Sequence, residues 1–138
     1  MIERSCNVED TERIAARLAL TLRGGECVTL SGDLGAGKTQ FVRGMVRALG
    51  GDAALVCSPT FVLLHIYDCP AFKVFHWDAY RVSGPTDFEA TGFSETLQEG
   101  GLVIVEWPER VAALLPPRCI SVRITVTGET SRRIDIDE

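Results

Sequence analysis

The stretch GDLGAGKT, residues 32–39, has the spacing G-x-x-x-x-G-K-[ST], which is typical of a loop that binds a phosphate chain. The glycines of such a loop let successive backbone N–H groups face inward on an anion. A helix that follows directly points the positive end of its dipole at the same anion. Lys38 would then reach the β- and γ-phosphates, and Thr39 would place its hydroxyl on Mg²⁺. The competing interpretation is a glycine-rich turn in which Lys38 is incidental.

This P-loop (residues 32–39) predicts a nucleoside triphosphate and Mg²⁺ as ligands. The N/T-K-x-D motif, on which GTP specificity commonly rests, is absent from the sequence, so ATP is the expected nucleotide. The loop residues expected to contact it are Asp33, Leu34, Gly35, Ala36, Gly37, Lys38 and Thr39.

Two acidic residues compete for the metal. Glu106 ends the apolar run LVIVE, and Asp78 ends the run KVFHWD. P-loop proteins hold Mg²⁺ with an acid at the end of a second strand. An uninterrupted apolar run is typical of a central parallel strand, whereas a run that contains histidine and tryptophan indicates a more exposed one. The pattern therefore favours Glu106 as the metal acid.

Asp78 is then left as a group that positions water, acts as a general base or senses the γ-phosphate. The alternative is a structural role for Asp78, as a strand-end carboxylate that caps the next turn. His76 either takes part in this chemistry or is a half-buried strand residue. Arg81 either pairs with Asp78 or touches phosphate. Trp107 is either a core residue or a partner contact.

The segment CSPTF, residues 57–61, lies between the P-loop helix and the next predicted strand. Pro59 keeps the preceding backbone extended, and Ser58 and Thr60 offer hydroxyl groups. The position is typical of a switch loop that senses γ-phosphate and Mg²⁺. An ordinary loop that enters a strand is the alternative.

Hydrophobic periodicity predicts the elements that position these residues. Helices are predicted over residues 8–22 and 39–49, helical pieces over 85–97 with a break near Gly92, and a helix from Pro108 up to Pro116. Strands are predicted over residues 27–32, 60–67, 72–77 and 102–106, with a terminal hairpin over 118–127 and 132–136. This order predicts an α/β fold, a P-loop NTPase-like sheet with a parallel core, antiparallel edge strands and flanking helices, in one domain over residues 1–138.

Composition limits the function classes. Net charge is -5 without a basic tract, so we expect that any nucleic acid would be bound through a partner rather than by this chain alone. No apolar run approaches the ~20 residues of a membrane span, and the polar start lacks the pattern of a secretion signal. We therefore expect no membrane association and a cytoplasmic protein. The five cysteines lack a CxxC pair and are expected to be buried free thiols.

The motifs GDLGAGKT, SPTF, HWDAYR and VEWPER occur in this order and together resemble those of the bacterial TsaE (YjeE) family. The resemblance covers about residues 11–132. It implies a small ATPase, weak alone, that supports the TsaD–TsaB pair, in which TsaD forms threonylcarbamoyladenosine in tRNA. Contact with tRNA would be indirect, through that complex.

The resemblance also implies residue roles. Thr39 and Glu106 would serve Mg²⁺, and Asp78 would act in hydrolysis beside Lys38 and Glu106. Thr11 and Arg132 would lie near the nucleotide. The residues expected to couple the nucleotide state to the partner are Ser58, Thr60, His76, Tyr80, Arg81 and Trp107.

Two other functions compete with this interpretation. A small-molecule or nucleoside kinase would use the same P-loop, but it needs an acceptor pocket and usually an arginine-bearing lid. The 138 residues contain no arginine-rich insertion from which to build one. The other alternative is a nucleotide-dependent binding module without useful turnover.

Overall fold

The computed structural model describes residues 1–57 and 62–138. The strands are β1 (Ile2–Ser5), β2 (Cys27–Ser31), β3 (Leu64–Asp68), β4 (Lys73–Asp78), β5 (Leu102–Glu106), β6 (Ile120–Val126) and β7 (Arg132–Asp137). The α-helices are α1 (Val8–Ala19), α2 (Lys38–Ala48), α3 (Pro85–Glu89) and α4 (Phe93–Leu97). Within the described residues, 3₁₀-helices cover Ala53–Leu55 and Pro108–Leu114.

The described residues form one seven-stranded sheet in the order β1-β7-β6-β2-β5-β4-β3. The central pairs β6-β2, β2-β5 and β5-β4 are parallel. The outer pairs β1-β7, β7-β6 and β4-β3 are antiparallel. This arrangement confirms the predicted α/β fold with a parallel core and antiparallel edges.

Helices cover both faces of this sheet. On one face, Ile14 of α1 and Phe41 of α2 pack with Leu30 of β2. On the other face, Phe88 of α3 packs with Trp77 of β4. The two faces follow from the alternation of side chains along each buried strand, and their burial leaves the ends of the parallel strands to form a site.

The two long helices begin close to their predicted positions. Asn7 caps α1, because its side-chain oxygen accepts the Asp10 N–H at 2.7 Å. This helix ends at Ala19 rather than at residue 22, and the Thr21 hydroxyl donates to the Leu18 carbonyl after the last turn. No helix within residues 1–57 and 62–138 combines the length and hydrophobicity that a membrane crossing requires.

Several predicted elements need correction. The helix predicted after Pro108 is a 3₁₀-helix, interrupted at Val111 with φ -133°. The strand predicted from residue 60 begins at Leu64 within the described residues. Strand β1 was not predicted, because its four residues IERS carry little apolar pattern. It forms by pairing with β7, and the Met1 amino group donates to the Ile136 carbonyl.

Two predictions about burial were wrong. Strand β4 is buried throughout residues 74–78, because β5 and β3 flank it and the helical layers cover its faces. The five cysteines, all within the described residues, are free as expected, yet Cys27 alone is buried. Cys6 and Cys57 are exposed because they lie in connections rather than in the core.

Candidate functional site

The P-loop connects the end of β2 to the start of α2. Gly35 and Gly37 have φ values of 81° and 112°, in the left-handed region that glycine adopts at little cost. A Cβ atom at Gly32 would lie 2.8 Å from the Ile124 carbonyl oxygen, so only glycine lets the loop approach β6 this closely. Gly37 offers no side chain to cap α2, which begins at Lys38, and this leaves first-turn N–H groups available to an anion.

A cavity of about 410 Å³, which we call the strand-end cavity, opens beside this loop. From the P-loop it is lined by Leu34, Gly35, Gly37, Lys38 and Thr39. From the strand ends it is lined by Asp78, Glu106 and Trp107. The fold thus brings eight residues predicted from three separate motifs to one cavity, because β2, β5 and β4 are parallel and end at the same edge.

Lys38 is buried within this cavity. Its Nζ donates to the Gly32 carbonyl at 2.6 Å and lies 3.9 Å from Glu106 Oε1. The same ammonium lies 3.9 Å from the centroid of the Trp107 ring, in a cation–π contact. Burial lowers the pKa of Lys38, while the charges of Glu106 and Asp78 oppose that change. The structure therefore holds the Lys38 ammonium beside the P-loop, close to Glu106 and within the electrostatic influence of Asp78.

Asp78 and Glu106 are directly paired across β4 and β5. The Ala79 N–H donates to the Glu106 carbonyl at 3.0 Å, which extends the ladder past the strand ends. Asp78 Oδ1 accepts the Tyr80 N–H at 2.8 Å. Burial raises the pKa of the Asp78 carboxyl, the Tyr80 N–H lowers it, and the charge of Glu106 raises it further. Two buried carboxylates thus meet at one edge of the sheet, in different hydrogen-bonded settings.

His76 is not half-buried but has no solvent exposure, so its side chain is not on a surface that a partner would contact. Its Nε2 lies 2.5 Å from Glu106 Oε2, and its Nδ1 lies 3.2 Å from the Tyr67 hydroxyl. Tyr67 was not among the predicted site residues. Its place depends on the register of the β3–β4 hairpin, in which antiparallel pairing sets Tyr67 opposite Val74 and next to His76.

Trp107 has φ 57° and ψ 50° and is the one non-glycine residue with positive φ among those the structure describes. Such a backbone costs on the order of 1–3 kcal/mol and commonly occurs at functional sites. Its ring lies 4.9 Å from that of Tyr80, centroid to centroid. The guanidinium carbon of Arg110 lies 5.3 Å from the centroid of the Tyr80 ring. The neighbouring residue of Tyr80, Arg81, is exposed. A tilted pair of aromatic rings, Trp107 and Tyr80, therefore lies between Lys38 and the exposed Arg110.

A second cavity of about 350 Å³, the helix-side cavity, lies on the other side of the P-loop and shares Gly35 and Gly37 with the first. Thr11, Ala36 and Arg132 line it. The predicted residues Thr11 and Arg132 are thus brought to the P-loop from α1 and β7. Gln40, Glu129 and Thr130 also line this cavity and were missed, because they carry no motif of their own.

Arg132 also holds the P-loop in place. Its Nε donates to the Ala36 carbonyl at 2.8 Å, and its Nη2 lies 3.5 Å from the Gly35 carbonyl oxygen. Thr11 is buried, and its hydroxyl shares a 2.7 Å hydrogen bond with the Ser5 hydroxyl. The Arg132 contacts connect β7 to the loop, and the Thr11 hydrogen bond connects α1 to β1.

Some predicted site residues do not line either cavity or lie outside the described residues. Asp33 lines neither cavity, although its carbonyl accepts the Ala36 N–H at 3.0 Å within the loop. Ser58 and Thr60 lie outside the described residues. Within residues 1–57 and 62–138, no three His, Cys, Asp or Glu side chains are placed to hold a metal ion together.

The donor set fits a triphosphate and a hard cation. Backbone N–H groups of the loop and helix, with the Lys38 ammonium, suit phosphate oxygens. Mg²⁺ prefers oxygen ligands and is usually bound by one or two carboxylates together with water and phosphate oxygens. The Thr39 hydroxyl and the Glu106 carboxylate line the same cavity and supply that chemistry.

Comparisons with known proteins agree with the fold and the motifs. The family model described as "Threonylcarbamoyl adenosine biosynthesis protein TsaE" matches residues 5–134. A relative named tRNA threonylcarbamoyladenosine biosynthesis protein TsaE, from Rickettsia felis, is 39% identical over 94% of this chain and 75% of its own length. A relative of the same name from Bacillus subtilis is 34% identical over 95% of this chain and 81% of its own length.

Among solved structures, the crystal structure of YdiB from Bacillus subtilis is similar throughout. It superposes with a TM-score of 0.81 at 29% sequence identity. The match covers 99% of this chain and 83% of the solved one. The family match includes the P-loop, Asp78, Glu106 and the residues that line both cavities. The chain therefore belongs to the TsaE family of threonylcarbamoyl adenosine biosynthesis proteins.

Proposed function

We propose that this protein binds ATP with Mg²⁺, hydrolyses it, and thereby supports a TsaD–TsaB complex in forming threonylcarbamoyladenosine in tRNA. The observation that carries the proposal is the meeting of Lys38, Thr39, Asp78 and Glu106 at one cavity beside a glycine-rich loop. The names of its relatives, which are tRNA threonylcarbamoyladenosine biosynthesis proteins, support the pathway.

Nucleotide binding divides between the two cavities. The loop N–H groups and Lys38 bind the phosphates on the strand-end side. Lys38 gives one N–H to the Gly32 carbonyl and, having three, keeps donors for phosphate oxygens. Thr11 and Arg132 contribute to a nucleoside site on the helix side, where the cavity shares the glycines of the loop.

Thr39 and Glu106 are the residues that would hold Mg²⁺. Bound there, the ion would neutralise charge that develops on the transferred phosphoryl oxygens. Asp78 is left free of that role and orients or deprotonates the attacking water. Its raised pKa supports this assignment, because a buried carboxylate with a raised pKa is a stronger base. The Tyr80 N–H fixes one Asp78 oxygen and leaves the other for water.

Coupling to the partner is assigned to the segment around Asp78. Tyr80 and Trp107 form a tilted ring pair between Lys38 and the surface, and Arg81 is exposed, so a change at the phosphates can reach a docked protein through this segment. The acidic chain, with net charge -5, supports a protein partner rather than direct binding of tRNA. The cytoplasm remains the predicted location.

Phosphate release from ATP by the purified protein tests the enzymatic part. We expect slow, Mg²⁺-dependent release of inorganic phosphate into water, lost in Lys38→Ala along with nucleotide binding. Transfer of the phosphate to an added nucleoside or metabolite would instead indicate a kinase. Tight ATP binding with no hydrolysis, either alone or with TsaD–TsaB, would indicate a binding module and overturn the proposal.

A further inference from the structure

We propose that His76 and Tyr67 position the Glu106 carboxylate, fixing Oε2 so that Oε1 stays available for Mg²⁺ beside Lys38. This inference rests on the proposed function, since it concerns how the metal acid is held. His76 Nε2 lies 2.5 Å from Glu106 Oε2, whereas Lys38 Nζ lies 3.9 Å from Glu106 Oε1. The two oxygens of one carboxylate therefore have different neighbours.

The hydrogen bonds among these groups have one consistent direction. A carboxylate oxygen only accepts, so the ring proton of His76 is assigned to Nε2. In that tautomer Nδ1 is an acceptor, and the Tyr67 hydroxyl donates to it at 3.2 Å. The chain Tyr67–His76–Glu106 thus matches a donor to an acceptor at each step.

Burial of the three side chains makes the loss of any of these hydrogen bonds costly. His76, Tyr67 and Glu106 are 0%, 2% and 4% exposed, so water does not readily replace a lost partner. A buried polar group that loses its partner bears the full cost of desolvation. The ring of His65 stacks on Tyr67 with 6.1 Å between centroids, which further restrains the phenol that begins the chain.

Positioning is needed because glutamate is flexible at the bond that carries its carboxylate. That terminal torsion is broad and not confined to staggered wells, whereas Mg²⁺ demands near-ideal octahedral geometry. A hydrogen bond to one oxygen removes this freedom and fixes where the other oxygen points. Partners of this kind typically change metal affinity by about 10–100-fold when they are removed.

The competing explanation is that His76 merely fills space in the core. Val74 provides the matched control, because it lies on the same face of β4, is fully buried and forms no side-chain hydrogen bond. Val74→Ala removes packing from this strand face, including packing against Tyr67 opposite it, but leaves both side-chain hydrogen bonds of His76 in place. A purely structural role predicts similar effects for Val74→Ala and for a variant at His76.

The test measures binding of a non-hydrolysable ATP analogue to the full chain, in excess EDTA and in saturating Mg²⁺. The ratio of the two dissociation constants is the gain due to Mg²⁺. We expect His76→Leu to reduce that gain about tenfold or more while leaving the EDTA value unchanged. His76→Gln, whose amide nitrogen can donate in place of Nε2, should keep most of the gain, and Val74→Ala should keep all of it.

The inference would be overturned if folded His76→Leu kept the full gain from Mg²⁺, or if Val74→Ala lost as much of that gain as His76→Leu. It would also be overturned if His76→Leu weakened nucleotide binding equally in EDTA and in Mg²⁺. Should His76→Leu fail to fold, Tyr67→Phe decides, because it keeps the ring and removes only the hydroxyl. A reduced gain in Tyr67→Phe supports the chain of bonds, and a full gain overturns it. Failure of the wild-type protein to show any gain from Mg²⁺ would instead contradict the proposed function itself.

Discussion

Asp78 and Glu106 are the last residues of two neighbouring parallel strands and lie directly opposite each other. Their carboxylates differ in what they bind, since Glu106 Oε2 contacts His76 and Asp78 Oδ1 accepts the Tyr80 N–H. The first contact lies in the core, and the second lies at the start of the segment that leads to the surface. This difference supports our proposal that Glu106 serves the metal and Asp78 serves hydrolysis.

Substitution of the two acids should separate binding from turnover. We expect Asp78→Asn to leave affinity for the Mg²⁺–ATP analogue nearly unchanged and to lower hydrolysis by about 100-fold or more, as loss of a general base does. Glu106→Gln should weaken binding in Mg²⁺ but not in EDTA. Titration calorimetry and phosphate release measure the two effects. An affinity loss in Asp78→Asn as large as that in Glu106→Gln would contradict the division of roles.

Arg132 should matter for nucleotide affinity because it binds the P-loop carbonyls of Ala36 and Gly35. We expect Arg132→Ala to raise the dissociation constant for the ATP analogue by about tenfold, equivalent to ~1.4 kcal/mol. The neighbouring Arg133 pairs with Asp135 at 3.2 Å and is exposed, so Arg133→Ala is the matched control. Equal effects of the two substitutions would show that charge, rather than the loop contact, is responsible.

Gly44 sets the distance between α1 and α2. A Cβ atom there would lie 2.4 Å from the Glu12 carbonyl oxygen and 2.7 Å from the Glu12 Cα. Alanine favours helix by about 1 kcal/mol over glycine, yet we expect Gly44→Ala to lower the free energy of unfolding by about 1–3 kcal/mol, because the backbone itself must shift. Denaturant titration measures this, with Gly84→Ala as control.

The control site is open, since no atom lies within 4 Å of a Cβ built at Gly84. Its substitution should change the free energy of unfolding by less than about 0.5 kcal/mol. A Gly44→Ala variant as stable as Gly84→Ala would show that the two helices separate without cost.

Asp10 should make stability depend on pH. Its carboxylate accepts the Cys6 N–H at 3.0 Å and pairs with Arg13, and both contacts lower its pKa in the folded protein. Because the folded pKa lies below the unfolded one, the stabilisation is present above the ordinary value of 3.8 and is lost as pH falls through the folded pKa. Denaturant titration of Asp10→Asn should show lower stability than wild type at neutral pH.

That difference should shrink in acid. Added salt should also reduce it, since the ion pair with Arg13 is exposed. A difference that stays constant from neutral pH into strong acid would contradict the account.

The sequence predicted those parts of the site whose position depends on neighbouring residues along the chain. The P-loop, its strand and its helix are continuous, so the positions of Lys38 and Thr39 followed from spacing. Asp78 and Glu106 were each predicted at the end of a strand, and the structure sets them side by side because β4 and β5 are parallel neighbours.

The features that the sequence did not predict depend on contacts between residues far apart in the chain. His76 and Trp77 made β4 look exposed, but both are buried because Glu106 accepts from His76 and Thr96 accepts the Trp77 ring N–H at 3.2 Å. Strand β1 was missed for the same reason, since its pairing partner β7 is at the other end of the chain. The role of Tyr67 required the register of the β3–β4 hairpin, which pattern alone does not fix.

We propose that this protein is an ATPase that works for a TsaD–TsaB complex. The most direct test of this proposal is the rate of ATP hydrolysis by the purified protein alone and after addition of purified TsaD and TsaB, with Asp78→Asn as the control for contaminating activity. The account predicts a slow rate alone and clear stimulation in the mixture, absent in Asp78→Asn. An unchanged rate in a mixture of active, folded proteins would contradict it.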